Sequence, residues 1–329
     1  MRVALIGGAG FVGHHLALNL KYAGHYPVVI DSLSVNNIYA IQNDWFRYNV
    51  ALERIEEIED ADIPLLRMDA RDYGQLSQTV RFAKPDAIIH LAAVAHQLES
   101  NKNPYSTFDH SLRTLENSLD CARALNTPHF IYFSSSTVYG DFDQDPMPED
   151  SACRPKSVYA SVKLAGELLV KGYACASDFP YTIVRPSALY GSGCISGRVV
   201  QTFIERAMLD QPLVIKGSGK ARHDFTHIND LVSGITGLLA HGPVKDTINM
   251  TRGNARSLAE LAGIVSSFFP DSQVKIGKED KSMPRRGSLD ISKAKNLFGY
   301  NPTVDLEEGV SDYIGWYKEL RYGESMEAA

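Results

Sequence analysis

The sequence predicts an α/β protein, in which a doubly wound parallel sheet carries helices on both faces and a smaller C-terminal α/β domain follows. Short apolar runs alternate with longer amphipathic segments, as strands alternate with helices around a parallel sheet. The run Ala87-Ile88-Ile89-His90-Leu91 is almost continuously apolar, which is typical of a strand buried on both faces. These two observations together favour a parallel sheet over an antiparallel one.

The individual elements follow from the same patterns. Apolar runs predict strands at residues 3–6, 27–30, 64–67, 87–91, 130–134 and 181–184. Amphipathic spacing predicts helices at residues 12–23, 75–82, 105–124 and 158–176. Residues 34–62 form an insertion after the second strand, and their charged stretch 52–60 predicts a helix that lies in solvent.

The pattern changes after about residue 185, where glycine and proline begin to interrupt the elements. We therefore predict two domains, residues 1–185 and residues 186–329. We allow for segments from one half of the sequence to pack in the other domain. The second domain is smaller and richer in loops.

The composition excludes several classes of protein. The net charge of -6 does not favour a nucleic-acid surface. Apolar runs stay well short of the roughly 20 residues of a membrane-spanning helix, and the first residues lack the pattern of a secretory signal. The four cysteines form no C-x-x-C pair, so we expect no metal site and reduced thiols in a cytoplasmic protein.

A glycine-rich loop, Gly7-Gly8-Ala9-Gly10-Phe11-Val12-Gly13, joins the first predicted strand to the first predicted helix. Its glycines permit a tight turn, close approach of the backbone to a pyrophosphate, and close packing of helix on strand. The amides of Phe11 and Val12 open the helix, whose N-terminus favours anionic phosphates. This context predicts a Rossmann-type dinucleotide site.

Two acidic positions extend the predicted dinucleotide site. Asp31 ends the second strand, where a carboxylate can accept hydrogen bonds from the adenosine ribose and repel a 2′-phosphate, which favours NAD over NADP. Asp69 and Ala70 follow the third strand, and we expect them near the adenine. An N-cap role for Asp72 is an equally natural use of that turn.

Tyr159 and Lys163 are four residues apart on a predicted helix, so they share one face. An ammonium beside a phenol favours the tyrosinate and lowers the pKa of the tyrosine. Such a tyrosine can take a proton from a sugar hydroxyl. The spacing is common, but here it follows both the glycine loop and the run Ser134-Ser135-Ser136-Thr137-Val138-Tyr139-Gly140.

With these motifs, the sequence resembles the extended short-chain dehydrogenase/reductase family over almost its whole length. The closest resemblance is to NAD-dependent nucleotide-sugar epimerases and dehydratases of the UDP-glucose 4-epimerase kind. The motifs that carry it are the glycine loop, Asp69-Ala70-Arg71-Asp72, His90-Leu91-Ala92-Ala93, the serine run, Tyr159 to Lys163, Arg185-Pro186-Ser187-Ala188-Leu189-Tyr190-Gly191 and Asp224-Phe225-Thr226-His227-Ile228-Asn229-Asp230.

The resemblance implies roles for matching residues. Tyr159 would be the base, Lys163 would tune it and bind the nicotinamide ribose, and Ser135 would hold the substrate oxygen. Ser136 and Thr137 are near alternatives to Ser135. The cofactor cleft would be lined by Leu91, Ala92, Ala93 and Pro186. The helices at 105–124 and 158–176 would pair in a homodimer.

The sequence departs from the family where the sugar nucleotide is held. Ala188 replaces a common asparagine, and His223 replaces an arginine, with Arg222 one position earlier. The pyrophosphate contacts must therefore be rebuilt, and arginines suit that task. The candidates are Arg198, Arg222, Arg252 and Arg286, and the expected substrate contacts are His96, Ser136, Arg198, Arg222, His223 and Arg286.

The predicted reaction is NAD-dependent epimerisation of a nucleotide-diphosphate sugar, at C4, through a transient ketone. The serine run carries no carboxylate, which argues against dehydration and decarboxylation. His96 lies where dehydratases carry a histidine, so it is either a second acid/base or a structural residue. The alternatives are a nucleotide-sugar dehydrogenase or reductase, a dehydratase, and a non-catalytic protein that kept the fold.

Overall fold

The structure is a computed structural model that describes residues 1–34, 41, 44–94, 97–278 and 284–327. Its strands are β1 Arg2–Ile6, β2 Tyr26–Asp31, β3 Leu65–Arg67, β4 Ala87–His90, β5 Phe130–Phe133, β6 Tyr181–Arg185, β7 Leu189–Tyr190, β8 Leu213–Lys216, β9 Arg222–His223, β10 Thr226–His227, β11 Thr247–Asn249, β12 Arg256–Ser257 and β13 Val274–Gly277. Its α-helices are α1 Phe11–Tyr22, α2 Trp45–Asp60, α3 Tyr73–Ala83, α4 Gln97–Lys102, α5 Pro104–Phe108, α6 Thr114–Ala124, α7 Val158–Ser177, α8 Val199–Met208, α9 Ile228–His241, α10 Leu258–Phe268, α11 Ser292–Phe298 and α12 Leu306–Glu327.

A seven-stranded parallel sheet organises the fold, in the order β11-β6-β5-β4-β1-β2-β3. One face is covered by α1, α2 and α9, with Leu16, Ile58 and Ile235 in a single apolar cluster. The other face is covered by α3, α6 and α7, with Leu76 and Leu119 in a second cluster. The predicted doubly wound sheet is confirmed, because helices cover both of its faces and the central strands β4, β5 and β6 are buried along their whole length.

The C-terminal half contains smaller sheets. Strands β8 and β13 pair in parallel, and β9 and β12 pair antiparallel. A third apolar cluster there joins α8, α10 and α12 through Phe203, Leu261 and Tyr313. The chain nevertheless returns to the large sheet after residue 227, since α9 packs on α1 and β11 pairs with β6.

Two predicted helices differ in detail. The helix expected at 105–124 is divided into α5, a π-helical turn at Asp109–Arg113, and α6. In this turn Asp109 accepts hydrogen bonds from Arg71 at 2.6 Å and Arg113 at 2.9 Å. The helix α2 was expected to lie in solvent, but it buries Arg54 and Ile58 against the rest of the protein.

No described helix is both long enough and apolar enough to cross a membrane. Within the described part of the chain, no group of histidine, cysteine, aspartate and glutamate side chains is arranged to hold a metal ion.

Candidate functional site

The glycine loop turns between β1 and α1 with very little free space. Gly7 has a φ of +81°, and a Cβ there would lie 2.5 Å from the backbone nitrogen of Ala92. A Cβ on Gly13 would lie 2.5 Å from the carbonyl oxygen of Gly8. Gly10 caps α1 without any side-chain hydrogen bond. The amides of Phe11 and Val12 therefore open onto a glycine-walled cradle, which fits the pyrophosphate of a dinucleotide.

Asp31 stands beside this loop at the end of β2. Its carboxylate accepts hydrogen bonds from the backbone amides of Ala9 at 3.0 Å and Leu33 at 2.8 Å. Burial raises the pKa of Asp31, and the two amides oppose that rise. The carboxylate is thus fixed next to the cradle, which is the geometry that recognition of ribose hydroxyls requires.

The predicted adenine and cleft residues lie around the same end of the sheet. The amides of Leu91 and Ala92 both donate to the carbonyl of Ile6, which holds the chain leading to Ala93 against the glycine loop. Asp69 forms a forked hydrogen bond with Arg71. The neighbouring residue Ala70 is buried. In the same turn, Asp72 caps α3 by accepting from the amide of Gln75 at 3.0 Å.

Tyr159 lies in the first turn of α7, where the helix is capped by Ser157 accepting from the amide of Ala160 at 3.2 Å. The phenol is half-buried and hydrogen-bonds Ser135. Burial raises the pKa of Tyr159, whereas Arg198, the Ser135 hydrogen bond and Arg286 each lower it. The base candidate and the serine candidate are therefore neighbours, and their catalytic roles stay a prediction.

Lys163 follows one turn later and points deeper into the protein. Its Nζ donates to the carbonyl of Phe133 at 2.6 Å and lies 5.2 Å from the ring centre of Tyr132. Burial lowers the pKa of Lys163 to about 8. The tuning of Tyr159 by this lysine stays a prediction, and Arg198 and Arg286 also favour the ionised phenol.

The serine run forms a short 3₁₀ turn that brings several predicted residues together. Ser135 Oγ accepts from the amide of Thr137 at 3.2 Å and from its hydroxyl at 3.0 Å. The amide of Ser136 donates to the carbonyl of Pro186 at 2.9 Å. Arg286 Nη1 donates to Ser136 Oγ at 3.4 Å. The turn thus brings two serine hydroxyls, the carbonyl of Pro186 and the guanidinium of Arg286 together.

The other substrate candidates fall into different environments. Arg198 begins α8, and its Nη1 donates to the carbonyl of Leu189 at 3.2 Å. Arg222 is paired with Asp145 at 2.7 Å, so its charge is already compensated. Arg252 donates to the carbonyl of Pro302.

Two predicted histidines complete this set. Burial, together with the charge of Arg286, lowers the pKa of His223 to about 4. At neutral pH His223 is therefore uncharged, so it does not supply the positive charge of an arginine at this position. His96 lies outside the described residues.

One buried residue of the site was missed at the sequence level. Glu167 lies four residues after Lys163 on α7, and its carboxylate accepts two hydrogen bonds from Arg185, at 2.8 and 2.6 Å. Both side chains are almost completely buried. The spacing of Tyr159, Lys163 and Glu167 on one helix face is a signal that could have identified it.

The family model for the NAD dependent epimerase/dehydratase family matches residues 3–251. UDP-glucuronate 4-epimerase 1 of Arabidopsis thaliana is 30% identical, over 99% of this chain and 78% of that protein. UDP-glucuronic acid decarboxylase 2 of the same plant is 27% identical, over 100% of this chain and 71% of that protein.

Among solved structures, UDP-glucuronic acid 4-epimerase from Bacillus cereus, in complex with UDP-glucuronic acid and NAD, superposes with a TM-score of 0.86. It is 25% identical and the match covers 97% of this chain and all of that one, 100%. These similarities agree with the predicted motifs, sheet and cofactor. The chain therefore belongs to the NAD-dependent epimerase/dehydratase family.

Proposed function

We propose that the protein is an NAD-dependent epimerase that inverts C4 of a nucleotide-diphosphate sugar. One observation carries the proposal: the Tyr159 phenol and the Ser135 hydroxyl lie within hydrogen-bonding reach of each other, and the serine run contains no carboxylate. A hydroxyl and a phenol suffice for reversible oxidation of an alcohol, whereas eliminating water also calls for an acid near the leaving hydroxyl.

In this mechanism Tyr159, as tyrosinate, takes the proton of the C4 hydroxyl and later returns it. Ser135 holds the same oxygen, because its hydroxyl can both donate and accept. The glycine loop, Asp31 and Lys163 would hold NAD, which would supply a nicotinamide able to take a hydride from C4 and return it to either face, and so would not be consumed.

The substrate class is proposed from the cations that face Tyr159. Within the described residues Arg198 and Arg286 take part in no ion pair, whereas Arg222 is already paired. Arg198 and Arg286 are therefore the best candidates for the diphosphate, since guanidinium groups bind phosphate in a bidentate manner. Relatives named for UDP-glucuronate make a UDP-sugar the first substrate to try.

The direct test is product analysis. The NAD-loaded protein is incubated with UDP-, GDP-, dTDP- and CDP-sugars, and the products are followed by NMR and mass spectrometry. Epimerisation leaves the mass unchanged and inverts the couplings at one carbon. Loss of water or of carbon dioxide would reject epimerisation, and a change of two hydrogens would favour the dehydrogenase or reductase.

The role of Tyr159 is tested by Tyr159→Phe. The variant should fold and bind NAD like the parent while turnover falls by about 100-fold or more, the usual effect of removing an acid/base group. Tyr181→Phe is a matched control, because that buried phenol lies on β6 and outside the site. Near-normal turnover of Tyr159→Phe would remove the tyrosine from the mechanism.

We further propose a cytoplasmic homodimer that forms through α5, α6 and α7. Three apolar side chains on α5 and α7 are exposed, Tyr105, Phe108 and Leu168, and such a patch is typical of an interface. Leu168→Glu should reduce the mass in solution to that of a monomer. Phe82→Glu on α3, where Phe82 is 90% exposed, should leave the mass unchanged. A monomeric parent protein would contradict the dimer.

A further inference from the structure

The β7–α8 loop, residues 191–198, ends at Arg198 and contains three glycines with positive φ. The φ angles are +133° at Gly191, +74° at Gly193 and +66° at Gly197. Glycine gives a chain more conformational freedom than any other residue. The whole loop is described, and none of it lies in a helix or strand. Its conformation must therefore be fixed by contacts from elsewhere in the protein.

The β7–α8 loop lies next to the start of α1. Phe11, from the glycine loop, packs against the apolar cluster that includes Tyr190 and Cys194. The ring of Phe11 also lies 5.5 Å from the ring of His15, one turn later on α1. The loop therefore borders the predicted dinucleotide cradle at one end and reaches Arg198 at the other.

Three consecutive carbonyls of the loop each accept a hydrogen bond from a different helix. The pairs are His15 Nε2 of α1 with the carbonyl of Ser192 at 2.9 Å, Arg54 Nη2 of α2 with that of Gly193, and Tyr313 Oη of α12 with that of Cys194 at 2.5 Å. These donors are far apart in the sequence and come together only in the folded protein. They hold the middle of the loop from three sides.

Arg54 is the least expected of these anchors. Its residue is only 3% exposed, and its Nε has no hydrogen-bond partner. Glu57, one turn later on α2, pairs with His14 at 2.7 Å instead. Burying a guanidinium without a carboxylate is costly, so stability alone does not account for it. The contact of Arg54 with the loop points to a role in the site.

We propose that Arg54 and Tyr313 are positioning residues that order the β7–α8 loop before substrate binds, so that Arg198 is already placed for the diphosphate of a nucleotide sugar. This inference rests on the proposed role of Arg198. A loop that is ordered in advance loses less entropy when the ligand binds, so the ligand binds more tightly. Helix α2, in the insertion after the second strand, thereby contributes to substrate affinity.

The first test measures the loop itself. Hydrogen exchange of the peptide that contains residues 191–198 is followed by mass spectrometry in the NAD-loaded protein without any sugar. The hydrogen-bonded amides of Cys194 and Gly197 report on the loop. Arg54→Met and Tyr313→Phe should each accelerate its exchange about fivefold or more, the scale of one hydrogen bond. Exchange in α3 should not change.

The second test measures binding. The NAD-loaded proteins are titrated in a calorimeter with UDP, dTDP, GDP and CDP. The diphosphate that the parent binds best should bind about fivefold or more weakly to Arg54→Met and to Tyr313→Phe, whereas the affinity for NAD should stay that of the parent. Arg54→Lys should lie between Arg54→Met and the parent, because an ammonium can also donate to a carbonyl.

The matched control is Tyr300→Phe. Tyr300 is also a buried tyrosine, 4% exposed, but its hydroxyl has no hydrogen-bond partner among the described residues. This variant should equal the parent in loop exchange and in diphosphate binding. If Arg54→Met does not fold, Tyr313→Phe decides alone, since it removes only a hydroxyl.

Parental exchange and affinity in the folded variants would overturn the proposal, and so would an equal loss of NAD affinity, which would indicate general damage. A parent protein that binds none of the four diphosphates would overturn it through the proposed substrate class. The exchange measurement, which uses no sugar or diphosphate, distinguishes that case from a failure of the anchors.

Discussion

Glu167 and Arg185 form an ion pair beneath the proposed site, with side chains that are only 1% and 3% exposed. Arg185 also lies over the ring of Tyr139, 4.6 Å from its centre, so the pair connects α7, β6 and the serine run. Burying two charges is costly, and removing one of them leaves the other without compensation.

Glu167→Gln should therefore lower the free energy of unfolding by about 3 kcal/mol, because Arg185 keeps its charge in the interior. Denaturant unfolding measures this. The control is Asp178→Asn, which breaks the exposed pair with Lys245 and should cost less than about 1 kcal/mol. Equal effects of the two variants would show that burial does not determine the cost.

Individual residues differ in how far the sequence predicts them. Tyr159 and Lys163 were found because their spacing is local and follows helix periodicity. Arg286 could only be named as one arginine among four, because its approach to Ser136 depends on hydrogen bonds between segments far apart in the sequence. The direction of Lys163 was also unpredictable, since the carbonyl of Phe133 that it binds belongs to another element.

Among the elements, the turn from β1 into α1 depends most strictly on residues that have no side chain. Helix α1 must begin against Gly8, because a Cβ on Gly13 would come within 2.5 Å of the Gly8 carbonyl oxygen. The contact is with backbone, so a change of rotamer cannot relieve it. Any side chain at residue 13 must therefore move the helix away from the strand.

Gly13→Ala should weaken NAD binding at least about tenfold, since the displaced helix no longer presents the amides of Phe11 and Val12 correctly. Calorimetric titration with NAD measures the loss. Gly263→Ala on α10 is the control, because a Cβ there meets nothing within 4 Å. That variant should bind NAD normally and gain about 0.5–1 kcal/mol of stability. Unchanged affinity in Gly13→Ala would contradict the packing argument.

Strands and helices with a clear period were predicted within a few residues, whereas features that depend on a distant partner were not. The π-helical turn at Asp109–Arg113 contains Asp109, which binds Arg71 from another loop. Helix α2 looked solvated because its acidic residues dominate the composition, yet Arg54 is buried and donates to the carbonyl of Gly193. Neither partner is visible in the local sequence.

For the whole molecule, buried histidines determine how stability depends on acid. Burial lowers the pKa of His90 to about 3 and that of His129 to about 4, from a usual value of 6.5. Below pH 6.5 the unfolded chain takes up protons that the folded protein does not. The stabilisation is therefore complete above that pH and is lost as the pH falls towards these lowered values.

The free energy of unfolding should fall by about 1.4 kcal/mol per pH unit for each such histidine below pH 6.5. His129→Gln should reduce this dependence of the free energy of unfolding on pH by the contribution of one histidine. Glutamine can keep the hydrogen bond to Thr182 but does not titrate. Denaturant unfolding at several pH values gives the slopes, and a parental slope in His129→Gln would refute the assignment.

The return of residues 228–249 to the large sheet has a consequence for synthesis on the ribosome. When β6 emerges, its outer edge has no neighbour, and the face of α1 that α9 will cover is still bare. The edge of β6 and the face of α1 both remain uncovered until α9 and β11 have been translated. Until then, the N-terminal half is an incomplete sheet with an exposed edge. Such edges pair readily with other chains. We therefore expect the nascent chain to need protection by chaperones during this interval, and a fragment ending at residue 185 to aggregate rather than fold.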